Sequence, residues 1–152
     1  LDALPTNKPE DPVRVGIVGE YYTAQDPTSC LNLEQKLLDM GVELSNAMSI
    51  SAFNLHYNAQ AARESIAEYS VHDMGPTSTF NIAAAKRFAK AGYDGLVHIK
   101  SAGCTPEIDV MPVLQRLIPV LFLTFDTQTS DAGLDTRLEA FYDMIAMRKV
   151  RS

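Results

Sequence analysis

Cysteine is scarce in this chain of 152 residues: Cys30 and Cys104 are the only two, and they lie far apart. Two distant thiols cannot build the disulfide framework of a small secreted domain, so a reducing, cytoplasmic setting is the default expectation. Clustered basic charge is missing too. With a net charge of −6 and no Lys/Arg run, the chain has no electrostatic footprint for nucleic acid. No apolar stretch approaches the roughly 20 residues that span a bilayer. The opening LDALPTNKPEDP lacks the basic-then-apolar order of a secretory leader. His56, His72 and His98 share no metal-ligand spacing with one another or with the cysteines. Gly16-Ile17-Val18-Gly19 lacks the third glycine and the later acidic residue of a dinucleotide fingerprint. There is no P-loop lysine either.

What is present belongs to an ordinary globular domain: 46% hydrophobic and 21% charged residues. The chain starts at Leu1, and Pro5, Pro9 and Pro12 punctuate a polar lead-in. That reads as an interdomain linker over 1–12, followed by a single α/β domain over 13–150 belonging to a longer polypeptide.

Three near-continuous apolar runs predict strands covered on both faces: VRVGIV from Val13, DGLVHI from Asp94 and PVLFLTF from Pro119. A weaker strand is expected over 42–47. Helices separate them. Leu31 to Met40 carries Leu33, Leu37 and Leu38 and stops at Gly41, and Thr79 to Ala91 stops at Gly92. Pro106 to Leu117 opens with Thr105 as N-cap, Pro106 at N1 and Glu107 in the first turn. Leu134 to Arg148 repeats Leu134, Leu138, Phe141 and Ile145, with Asp131 as candidate N-cap. Ala59 to Tyr69 is expected to be helical, and its approach through Phe53 to Tyr57 is ambiguous. Alternating strands and helices mean right-handed parallel crossovers. The predicted fold is a four-stranded parallel sheet in the order 2-1-3-4 with helices on both faces. It is a three-layer sandwich of the flavodoxin or Rossmann kind.

In such a sheet, ligands gather beyond the carboxyl ends of the strands, where strand order reverses. Three loops are expected on that rim: Gly19, Glu20, Tyr21 and Tyr22; Ser101, Ala102, Gly103 and Cys104; and Asp126, Thr127, Gln128 and Thr129. Cys104 stands at the mouth of a helix, where the positive end of the dipole favours thiolate. A small buried hydrophobe is the plain alternative. Glu20 and Asp126 offer carboxylates for acid–base work, or else are simply held by loop amides, the better reading. His98 reads as a packed, hydrogen-bonded core residue. Gly75-Pro76-Thr77-Ser78 reads as a turn into a helix. No histidine is placed by sequence to serve Cys104 as a base, which disfavours a stand-alone thiol enzyme.

The stretches GYDGLVHIKSAGCTPE and IPVLFLTFDTQTSDAGLDTRLEAFYDMI resemble the last domain of the 2-hydroxyacyl-CoA dehydratase and benzoyl-CoA reductase superfamily. They are most similar to the large CoA-substrate-specific enzyme activases. The opening GIVGEYYTAQDPTSCLNLEQKLLDMGVEL is similar to that family's first strand, loop and helix. The resemblance implies a [4Fe–4S] cluster held by cysteines from loops of two flavodoxin-like domains. It also implies a low-potential electron from an ATP-driven activator for acyl-CoA chemistry. Cys104 matches the ligand of the last domain.

Gly19-Glu20 stands where dehydratase subunits often carry a further cysteine, and Cys30 has no counterpart. A cluster wants about four thiolates, or three with one open site. The domain by itself is therefore expected to be inactive and without a cluster. Sister domains, a dehydratase subunit or a second copy in a homodimer would supply the other ligands. Acyl-CoA is the implied substrate of the parent protein, a dehydratase component or its activator. The alternative is a docking module with no cluster of its own.

Overall fold

The computed structural model describes residues 10–56, 58–72 and 74–151. Most of the expected linker, and Tyr57 in the ambiguous approach, lie outside the described residues. The sheet is four-stranded, parallel throughout, in the order β2-β1-β3-β4. The strands are β1 (Arg14–Gly19), β2 (Glu43–Asn46), β3 (Gly95–Ser101) and β4 (Val120–Phe125). This is the predicted topology, a flavodoxin- or Rossmann-like α/β sandwich.

The central pair β1 and β3 is sealed on both faces. Val15, Ile17, Val18, Leu96, Val97 and Ile99 are all at most 1% exposed, which explains why their runs are apolar without alternation. The edge strand β2 is only half-buried along its length.

Seven helices complete the described residues: α1 (Tyr21–Gln25), α2 (Leu33–Asp39), α3 (Ile50–His56), α4 (Ala59–Ile66), α5 (Pro76–Lys90), α6 (Thr105–Leu117) and α7 (Asp131–Arg151). A Cβ on Gly16 would run into Phe88 of α5, and one on the next-strand residue Gly95 would run into Phe141 of α7. Gly95 pairs with Val15, so the two glycines point to opposite faces and α5 and α7 cover different sides. On α7's side, Lys36 of α2 reaches Asp131 and Asp135. On the other, α5 packs against α4 and α6.

The helix boundaries depart from expectation for local reasons. α1 replaces what reads as a loop, because Glu20 caps it. α2 starts at Leu33, two residues late, because Leu31 and Asn32 both take positive φ. The ambiguous approach to α4 is largely a helix of its own, α3. α5 starts at Pro76, with Gly75 at the cap. Thr105 is not the N-cap of α6: Cys104 holds that position with extended φ/ψ, and Thr105 is the first helical residue. Asp131 is not the cap of α7 either, since Ser130 Oγ accepts the Gly133 amide at 3.3 Å. The predicted stops after α2 and α5 do hold. Gly41 and Gly92 take left-handed φ, and the amides that follow them bond back to Leu37 and Phe88.

At the other end, Asp11 and Pro12 are tied to the domain. Lys149 Nζ lies 2.8 Å from the Asp11 carboxylate and donates to the Pro12 carbonyl at 2.9 Å.

Candidate functional site: the carboxyl rim of the sheet

Main-chain bonds stitch the three predicted loops together. Glu20 N–H donates to Ile99 O at 2.8 Å, and Ala102 N–H donates to Phe125 O at 3.1 Å. The first requires β1 to end against the backbone of β3. Gly19 makes that approach with φ of +143, and a Cβ there would sit 1.9 Å from Ile99 O. Only glycine fits.

The rim carboxylates are already occupied. Glu20 accepts from the amides of Tyr22 (2.8 Å) and Thr23 (2.9 Å) and from the Thr23 hydroxyl. Partial burial pushes its carboxyl up, but these hydrogen bonds outweigh it and leave the group below the usual range. Asp126 Oδ1 accepts from the Gln128 amide at 2.8 Å and the Thr129 hydroxyl at 3.0 Å, a local turn. Tyr21 meets Phe53 edge-on, with ring centroids 5.6 Å apart, and Tyr22 is largely exposed. Asp126 and Gln128 line a cavity of about 360 Å³ with Ser130 and Arg137, which neither Cys104 nor Glu20 lines.

The two cysteines differ. Cys30 is 4% exposed and its Sγ donates to Pro27 O at 3.7 Å. Burial pushes its thiol up, and the nearby charges of Glu34 and Asp26 add to this. Cys104 is half-buried at the mouth of the 13-residue α6, and its side chain makes no capping bond. Its amide donates to Ser101 O at 3.2 Å, closing the turn. Ser101 and Gly103 are exposed on the same turn. Beneath it lies Lys100, only 5% exposed, whose ammonium reaches the carbonyls of Ser101 (3.3 Å) and Ala102 (3.4 Å).

Below the rim is a buried polar network that sequence reading only half anticipates. His98 is in the core and hydrogen-bonded, as expected: its Nε2 lies 2.8 Å from Glu107 Oε2, and both side chains are 0% exposed. Its ring also meets Phe122 edge-on. Glu107 is therefore no solvent-facing first-turn charge. Asn81 Nδ2 donates to the same oxygen at 2.8 Å and to Gly19 O at 3.0 Å, while Gly19 N–H donates to Asn81 Oδ1 at 3.1 Å. His98 Nδ1 and Glu107 Oε1 find no partner among the described residues. Each such orphan costs about 1–3 kcal/mol. The signal was available: Glu107, Val110 and Leu114 lie at three-and-four spacing on the stripe that α6 buries.

Among the described residues, no group of three or more His, Cys, Asp or Glu side chains is arranged to hold a metal ion. Tested against a [4Fe–4S] cluster, the rim offers one thiol, that of the partly exposed Cys104. It fits a single ligand position and not the full set. The chain matches no protein-family model. It matches no curated protein either.

Proposed function

We propose that this chain is a cluster-ligating α/β domain of a 2-hydroxyacyl-CoA dehydratase-like or activase protein, with Cys104 as one thiolate ligand. The observation that carries this reading is the contrast at Cys104. Cys104 is a half-buried residue whose side chain makes no capping bond at a helix mouth on the sheet's carboxyl rim, while Cys30 is buried and hydrogen-bonded. Part of the resemblance lies there: Gly103 and Cys104 belong to the turn into α6, Pro106 and Glu107 to its first turn, and Ala102 joins that turn to the end of β4.

In this reading the remaining thiolates come from a sister domain, a dehydratase subunit or a second copy of the chain. When bound, the cluster supplies one low-potential electron for acyl-CoA chemistry. The chain's own residues do simpler work. Gly19 lets β1 close on β3, the turn over 101–104 presents the sulfur, and the α6 N-terminus favours negative charge beside it. The setting would be cytoplasmic.

Cys104→Ser in the full-length protein tests this, with iron and acid-labile sulfide as the readout. Both should fall, and unchanged iron content would overturn the proposal. One observation favours a second reading, a docking module without a cluster: the described residues offer a single well-placed sulfur. A normal [4Fe–4S] spectrum that depends on Cys104 would reject it.

A further inference from the structure

We infer that Glu107 is a positioning residue: through Asn81 it latches the mouth of α6, and with it Cys104, to the end of β1. Glu107 stands third in α6, three residues past Cys104. A carboxylate in that position ordinarily reaches back to the amide of the capping residue. Here the Cys104 amide goes to Ser101 O instead, and the carboxylate turns inward. It meets Asn81 of α5, and Asn81 closes on Gly19 with both a donated and an accepted bond. His98 of β3 completes the set against the same Glu107 oxygen. Four elements are thereby joined by side chains that solvent does not reach. A separate bond, from Ser78 Oγ to Pro106 O at 3.0 Å, ties the start of α5 to the residue before Glu107.

The network is not what stability alone would select. Two of its atoms, His98 Nδ1 and Glu107 Oε1, lack partners among the described residues, and apolar side chains at positions 98 and 107 would remove both orphans while Asn81 kept its two bonds to Gly19. A fold that keeps a half-satisfied polar cluster under a functional rim gains placement from it. Gly19 ends β1 and Cys104 opens α6, and this latch is a side-chain path between them. The use of that placement rests on Cys104 being a ligand; the latch itself does not.

Amide hydrogen exchange on the full chain provides the test, read at Gly19, whose N–H bonds Asn81, and at Cys104, whose N–H bonds Ser101. Glu107→Leu should speed exchange at both sites by about tenfold or more through local opening. Glu107→Gln keeps the shape and an acceptor for Asn81, and should restore both rates to within about threefold. Leu114→Ala empties core space on the same helix. It should lower the melting temperature without selectively moving either site. The latch is wrong if Glu107→Leu leaves both rates unchanged, or if Leu114→Ala moves them equally. Should Glu107→Leu fail to fold, the unaltered protein decides. The Gly19 amide and the Asn81 side-chain amide must then exchange as slowly as the core amide of Ile17, and faster exchange overturns the proposal. Iron content of Cys104→Ser is a separate readout. Its failure removes the cluster reading and leaves the exchange result standing.

Discussion

Cys30 and Cys104 each stand in the turn before a helix, yet the two turns treat their sulfurs in opposite ways. The turn before α2 folds over Cys30. Asp26 gathers the amides of Thr28 and Ser29 and the Ser29 hydroxyl, Leu31 and Asn32 take left-handed φ, and the thiol is left 4% exposed against Pro27 O. The turn before α6 presents Cys104, and Gly103 beside it has nothing within 4 Å of where a Cβ would stand. A helix mouth nearby is common to both, so it cannot by itself mark a reactive sulfur. Access and freedom from other bonds make the difference.

The harshest way to break this contrast is to remove the platform beneath Cys104. Gly19→Ala drives a methyl into Ile99 O at a φ of +143, and should cost more than about 4 kcal/mol in thermal or denaturant unfolding. A loss below about 1 kcal/mol would show that β1 and β3 can separate at the rim at little cost.

Next in size is the contrast itself. Alkylation of the folded chain near neutral pH, followed by peptide mass, should label Cys104 at least about 100-fold faster than Cys30. Equal rates would erase the distinction.

The smallest expected effect concerns pH. The folded-state pKa of Cys30 is raised, first by burial and then by neighbouring carboxylates. Its contribution to stability is therefore fully present below the free thiol value of about 8.5 and is lost as pH rises through the folded value. Cys30→Ala should cost about 1–2 kcal/mol near neutral pH and flatten this alkaline decline. A decline that persists unchanged in the variant would assign it to another group.

Strands were legible because burial on both faces leaves a direct mark on composition: Val15 to Val18 and Leu96 to Ile99 prove to be sealed, whereas the equally apolar PVLFLTF, expected to be covered on both faces, forms the edge strand β4 and is only half-buried along most of its length. Helix stops at Gly41 and Gly92 were legible for a similar reason, since left-handed backbone favours glycine. Caps were less so. Thr105 and Asp131 have the right chemistry, but the closing of the preceding turn decides which residue occupies the cap, and it chose Cys104 and Ser130. The rim loops were found as a set, yet Asp126 and Gln128 proved to line a separate cavity.

The sequence by itself determined the layers, the parallel sheet and which strand ends would carry loops, because those follow from local periodicity and from the handedness of crossovers. Only the tertiary structure decided that Glu107 turns away from solvent to meet His98 and Asn81, that Cys30 is enclosed and that Cys104 is not. Those outcomes depend on contacts between residues distant in the chain, such as Gly19 with Asn81, and no local pattern encodes which partner a buried polar group will find.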